Sequence, residues 1–365
     1  MSKSTIEQRF LAAIDRAAER SRGASRFFRS VVPMVEDGVT TFMEAPRNRD
    51  VDGSDFLVCG FPYEGIRARD TRSMIQPGVK LENTDYARDG AWQAPAAIRR
   101  QSLHYSIAHG PGLHHYELDP DFRILDTVSI ADAGDLAVDL DIPTGELLAA
   151  ASDRLLALVA PDRIPILLGG DDITPYLGLR TVQRQRDARI AVIKFDAHFD
   201  LCWEPKYWAG SAWARAMEEG YLRPEDLCIV GIRGLRNPSF FGEVAKEFGI
   251  RYATMSEIEK KGIEACVRDV LSAATEGADY LYVSFDVDVM DPAFLPAQKY
   301  PEPAGMTARE AVAGVRAAVL EGLPLCGFDL DCLAPQYDVN GLGAQLAARL
   351  AVEAIGAHAY RLSRG

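Results

Sequence analysis

Four short apolar runs in this chain each end in carboxylates, and that arrangement restricts the possible folds more than any other feature. ILLGGDD runs into Asp171 and Asp172, and AVIKFDAHFD ends in Asp196, His198 and Asp200. LYVSFDVDVMDP ends in Asp286, Asp288 and Asp291, and LCGFDLDCLAPQYD in Asp329, Asp331 and Cys332. Runs so short and so apolar read as strands buried on both faces. Longer stretches with apolar residues spaced by three or four lie between them, and this alternation marks a mainly parallel α/β sheet. In such a sheet, ligand sites form beyond the carboxyl ends of the strands. Four strands would therefore bring their acidic residues to one edge.

The same reading predicts strands over 56–61, 164–168, 190–195, 227–232, 280–285 and 324–330, with weaker ones at 250–253 and 124–128. It predicts helices over 144–159, 256–274, 308–320 and 341–355. No repeat or low-complexity linker interrupts the chain. The expected organisation is an N-terminal extension over 1–53 followed by a single α/β domain over 54–365, with a long polar loop over 64–92.

The chain has 40 Lys plus Arg against 53 Asp plus Glu, a formal net charge of −13. That balance argues against nucleic acid and anionic membranes, which select clustered cations, and suits metal ions or a cationic organic substrate. Six cysteines occur without a CxxC pair, and the first twenty residues lack the apolar core of a signal peptide. No stretch reaches the ~20 apolar residues of a membrane span. The expectation is a reduced, cytoplasmic protein. No GxGxxG follows the first strand, and GGDDIT lacks the lysine of a phosphate-binding loop.

Alternation along an extended segment puts Asp196, His198 and Asp200 on one face, and Asp286 and Asp288 likewise. Carboxylates gathered in one cleft repel unless a cation neutralises them. Oxygen and imidazole donors suit one or two divalent ions. A single Asp after a strand is more often a cap or turn residue, and Asp171, Asp291 and Asp329 can each be read so. DxHxD after one strand and DxD after another favour metal.

These residues resemble the ureohydrolase family, which includes arginase, agmatinase and related guanidino-compound hydrolases. The family marks GGDH, DAHxD and SxDxDxxDPxxxP appear as Gly169-Gly170-Asp171-Asp172, as Asp196 to Asp200, and as Ser284 to Asp288 continuing to Asp291-Pro292 and Pro296. Ala97 to Arg99 and Asp132-Ala133-Gly134-Asp135 fit as well. The resemblance implies a three-layer α/β/α fold around a parallel sheet of about eight strands. It also implies two divalent ions, Mn or Ni, and a trimer-based hexamer. One ion would be held by Asp172, Asp196, Asp200 and Asp286, the other by Asp196, His198, Asp286 and Asp288. The implied reaction is hydrolysis of a guanidinium C–N bond by a metal-held hydroxide. Asp200 and His198 are then the candidate catalytic residues, and the partner is a small cationic guanidino substrate.

Four positions depart from the family pattern. The GGDH histidine is Asp172. Cys332 falls where a Glu pairs with the guanidinium, and a thiol cannot form that bidentate pair; Asp331 is adjacent, but on an extended strand it points to the other face. The family's HG-S/T histidine is Ala209, with Trp208 before it. Lys299 and Tyr300 replace small residues, and Lys299 could partly substitute for a metal or point to solvent. Cys332, Asp331, Tyr300, Ala209 and Trp208 are the candidate substrate-side residues. The four histidines at 104, 109, 114 and 115 belong to a loop that could reach the cleft. Two readings follow. One is a working amidinohydrolase for a substituted guanidine or biguanide. The other is a degenerate, non-catalytic subunit paired with an active paralogue, as in metformin hydrolase-like hetero-oligomers.

Overall fold

A computed structural model describes residues 40–48, 53–65, 88–105, 113–159 and 162–365. Most of the expected N-terminal extension, most of the 64–92 loop and His109 lie outside the described residues. Eight parallel strands form the central sheet: β1 (Phe56–Phe61), β4 (Ile130–Asp135), β5 (Ile164–Gly169), β6 (Ile190–Phe195), β7 (Leu227–Ile232), β8 (Arg251–Thr254), β9 (Tyr280–Asp286) and β10 (Leu325–Asp331). Their order is β4-β1-β5-β10-β9-β6-β7-β8. A small antiparallel pair, β2 (His114–His115) and β3 (Asp119–Arg123), stands apart.

Alternate residues of each strand enter two separate cores, so helices cover both faces. Phe56, Val58, Ile193, Phe195, Val283 and Phe285 pack with α1 (Ala94–Ser102), α6 (Met255–Lys261), α7 (Ile263–Ala274), α8 (Ala308–Glu321) and α9 (Leu342–Arg364). Leu57, Cys59, Val192, Ile229 and Tyr282 pack with α2 (Thr144–Leu158), α3 (Thr174–Arg186), α4 (Ala212–Glu218) and α5 (Ser239–Glu247). The architecture is the three-layer α/β/α sandwich expected from the sequence.

Three local readings change. The weak strand at 124–128 is a single turn, Ile124–Asp126, and the strand proper is β4, six residues later in register with β1. The helix expected over 256–274 is two helices, because Gly262 takes φ +84°, which L side chains rarely adopt. Helix α9 runs nine residues beyond its expected end, to Arg364. Arg99 on α1 grips Asp132 through Nε (2.8 Å) and Nη2 (3.0 Å), and Asp135 through Nη1 (2.5 Å). The Ala97 to Arg99 and Asp132 to Asp135 motifs thus clamp an edge strand rather than line the cleft. Among the described residues, no helix is long and apolar enough to cross a membrane.

His358 on α9 meets Phe56 edge-to-face at 5.4 Å. Burial, aided by Arg361, pulls its pKa down to about 4. The unfolded chain then takes up a proton below pH 6.5 that the fold refuses until pH 4, so this residue costs stability as pH falls through that window. The size is about 2 kcal/mol between pH 7 and 5. Urea unfolding of wild type and His358→Leu at both pH values should show that difference in slope; equal slopes would remove the assignment.

Candidate metal centre

The four acid-tipped strands are consecutive in the sheet, β5-β10-β9-β6, so their carboxyl ends open at one place. Turns beyond the strand ends, not strand alternation, complete the convergence. After β6, His198 N–H donates to Asp196 Oδ1 and Ala197 N–H donates to Asp288 Oδ1 at 3.2 Å. Asp200 adopts φ +49°, a left-handed conformation that Asp tolerates better than most residues. After β9, Asp286 Oδ1 accepts the Asp288 N–H at 2.7 Å.

Asp196, His198 and Asp288 present donor atoms close enough to share one cation. His198 Nδ1 lies 3.0 Å from Asp288 Oδ2 and 3.4 Å from Asp196 Oδ1. Burial disfavours its charge, but Asp288 and bonds to both carboxylates outweigh that and push its pKa up to about 12. Asp172, Asp196 and Asp200 form a second such group. An ammonium already stands within it. Lys194 Nζ lies 2.6 Å from Asp196 Oδ2, 2.5 Å from Asp200 Oδ2 and 3.4 Å from Asp172 Oδ2. Burial works against the charge on Lys194, yet these three carboxylates hold its pKa well above that of an ordinary lysine.

The remaining charge balance favours one further cation. Five carboxyl groups, Asp172, Asp196, Asp200, Asp286 and Asp288, face one ammonium and one imidazole. Burial, reinforced by Asp288 and Asp196, pushes Asp286 well above the usual carboxylate range. Burial also raises Asp172 well above it, with Asp200, Asp196 and Asp286 adding to the shift against the pull of Lys194. The Asp196, His198 and Asp288 donors therefore fit a divalent ion, with Asp286 beside them. The group around Lys194 does not fit a second.

A cavity of about 320 Å³ opens above these residues. Asp172, His198, Asp200, Asp286 and Asp288 form its charged side, and Cys202, Trp208, Ala209, Phe240, Phe241 and Tyr300 its apolar side. Gly210 is required there, since a Cβ would come within 2.6 Å of the Trp208 indole. Arg236 and Asn237 also reach the cavity. These two and Phe240 and Phe241 come from the segment after β7, where the sequence carries no motif.

Cys332 and Asp331 do not line the cavity; both are fully buried. Cys332 takes φ +60°, which breaks the alternation expected at the end of β10, and its Sγ groups with Asp331 and Asp286. Burial first, then Asp286 and Asp331, push the thiol well above its ordinary pKa, so it faces Asp286 as a neutral group. Lys299 takes neither of its expected roles. It is 2% exposed and pairs with Glu64. Of the three described histidines in the 104–115 segment, His104 and His114 are exposed, and His115 bonds Glu353 at 2.9 Å. None lines the cavity. Asp171 and Asp291 are turn residues, accepting the backbone N–H groups of Ile173 and Ala293 at 3.3 and 2.8 Å, and Asp171 also accepts the distant Gly65 N–H at 2.6 Å. Asp329 instead accepts from Ser284 Oγ at 3.0 Å beneath the site.

A family model described as Arginase family matches residues 73–356. The chain belongs to the arginase family. This arginase-family chain is 30% identical over 321 residues to guanidinopropionase of Pseudomonas aeruginosa, covering 87% of the chain and 90% of the relative. It is 29% identical to proclavaminate amidinohydrolase of Streptomyces clavuligerus, covering 86% and 91%. The solved structure of proclavaminate amidinohydrolase from that organism superimposes with a TM-score of 0.72 at 26% identity, covering 89% of this chain and 98% of that one. A formiminoglutamase from Trypanosoma cruzi, solved with Mn2+, shares the fold at a TM-score of 0.71 and 20% identity, covering 88% and 97%. The activity that goes with this arginase-family membership is hydrolysis of guanidino and amidino C–N bonds.

Proposed function

We propose that this chain hydrolyses a C–N bond of a substituted guanidine or biguanide, releasing urea or a urea derivative and an amine. The observation that carries the reading is the meeting of His198, Asp200, Asp286 and Asp288 at one cavity with an apolar opposite wall, with the buried Asp196 grouped with His198 and Asp288. Asp196, His198, Asp286 and Asp288 would hold a divalent ion, Mn or Ni, which supplies Lewis-acid polarisation and a water acidic enough to attack near neutral pH. The acidic side of the cavity suits the positive amidinium end of the substrate. Asp200, at the cavity and bonded to Lys194, is placed to hold the proton released by the attacking water and return it to the leaving amine. Trp208, Phe240 and Tyr300 suit alkyl substituents better than a second charged group. The gap between this cleft and a carboxylate pair for free guanidinium, with Cys332 buried, moves the substrate away from arginine-like compounds.

Urea and amine release should be measured across a panel of alkylguanidines, guanidino acids and biguanides with Mn(II) or Ni(II) present. At least one compound is expected to turn over, and Asp286→Ala should lower kcat by 100-fold or more. A panel with no product from metal-loaded protein would exclude the proposal. A second reading is favoured by Ala209 at the position where the resemblance expects a proton-transfer histidine: a non-catalytic subunit in a trimer-based hetero-hexamer with an active paralogue. Copurification from the native cells distinguishes the two, because an active preparation containing only this chain would exclude the second.

A further inference from the structure

Lys194 stands among the acidic groups of the cleft, and the family resemblance gives it no role. It sits on β6 between Ile193 and Phe195, paired in register with Ser284 on β9 and Ile229 on β7. Such a backbone is fixed on both sides. The side chain is fully buried, and its Nζ lies 5.5 Å from the centre of the Trp213 ring, which is itself fully buried. The ammonium is shielded from solvent, so its charge must be met where it stands. It is met by the Asp172, Asp196 and Asp200 carboxylates, the same three that offer donors for one cation.

We propose that the Lys194 ammonium is a resident cation occupying this position, so that the chain binds one divalent ion, at Asp196, His198 and Asp288, and not two. A metal ion bonded to the same oxygens would bring a second positive centre into contact with Nζ inside a dry site, where like charges repel most strongly. A lysine and an ion therefore compete for one place. An ammonium contributes fixed positive charge and hydrogen bonds, but it cannot polarise a bound water as a divalent ion does. The lysine thus leaves the carboxylates neutralised and the fold intact with half of a two-ion centre. The inference rests on the reading of the cleft as a metal centre.

The full chain, stripped with a chelator and reloaded with Mn(II) alone, is expected to hold one ion per chain by elemental analysis. Its paramagnetic resonance spectrum should be that of isolated Mn(II). Lys194→Met keeps the apolar stem and deletes the charge; it is expected to hold two ions, with exchange coupling between them. Two ions in wild type, or a single ion in folded Lys194→Met, would overturn the inference. Should Lys194→Met fail to fold, the wild-type count decides alone. Anomalous scattering from a Mn(II)-soaked crystal then gives the position: one peak beside His198 supports the inference, and a peak among Asp172, Asp196 and Asp200 sinks it. One ion with no turnover on any compound removes the proposed hydrolysis and leaves this inference standing. Two ions with turnover do the reverse.

Discussion

Asp196→Ala is expected to lower the unfolding free energy by about 3 kcal/mol, near the low end for breaking a buried ion pair. Asp196 is fully buried and sits between the two cations of the cleft, with Lys194 on Oδ2 and His198 on Oδ1. Its removal takes one of three carboxylates from a lysine that cannot reach water, and the two that remain keep the cost from rising further. Urea unfolding of the metal-free protein isolates this term from any ion bound at Asp196, His198 and Asp288. Combining Asp196→Ala with Lys194→Met should cost less than the sum of the single changes by at least 1 kcal/mol, since the two groups then vanish together. Additive costs would mean that the pair is not what neutralises the cleft. A cost below 1 kcal/mol for Asp196→Ala alone would mean that water reaches Lys194.

The parts of the fold that could be read in advance are those buried on both faces. Strands β1, β6 and β7 have the bounds their apolar runs suggest, because a central parallel strand contacts helices above and below and admits few polar residues. Strand β4 carries a weaker signal. Its sequence is IADAGD, and its two aspartates serve Arg99 on a distant helix. Helix α3 carries a weak signal for a related reason: TPYLGLRTVQRQR is strongly polar overall, and its Pro and Gly resemble loop signals. Tertiary packing, not local preference, makes it helical.

Ligand types in the site were legible, since DxHxD and DxD at strand ends restrict the chemistry. Their geometry was not. The left-handed turns at Asp200 and Cys332 replace simple alternation, and no local signal marks them. The sequence around Lys299 carries no sign of its partner, because the fold brings in Glu64 from 235 residues earlier in the chain. Lys194 did leave a trace: one cation inside an otherwise apolar buried strand is anomalous, because lysine is almost never fully buried without a partner. The anomaly shows only once AVIKF is read as a strand interior. What the lysine meets there depends on three carboxylates from two strand ends.

Glu353→Gln is expected to cost about 3 kcal/mol at pH 7, with the loss shrinking to less than half at pH 3. Glu353 is fully buried on α9 and is held by His115 Nε2 at 2.9 Å, Arg316 Nε at 2.6 Å and Arg349 Nη2 at 2.8 Å. It ties the small β2-β3 pair and α8 to the last helix. Burial alone would raise its pKa; the bonds to His115 and Arg316, with Arg349, overcome this and lower it to about 2. In the unfolded chain the group titrates near pH 4.5. Its contribution is therefore complete above pH 4.5 and is lost as pH falls toward and through 2. Glutamine keeps the shape and one acceptor but leaves Arg316 and Arg349 without their counter-charge. Urea midpoints of both proteins at pH 7 and pH 3 test this. Curves separated equally at the two values would show that the carboxylate is not preferentially ionised in the fold, and a separation that widens at low pH would reverse the sign argued here.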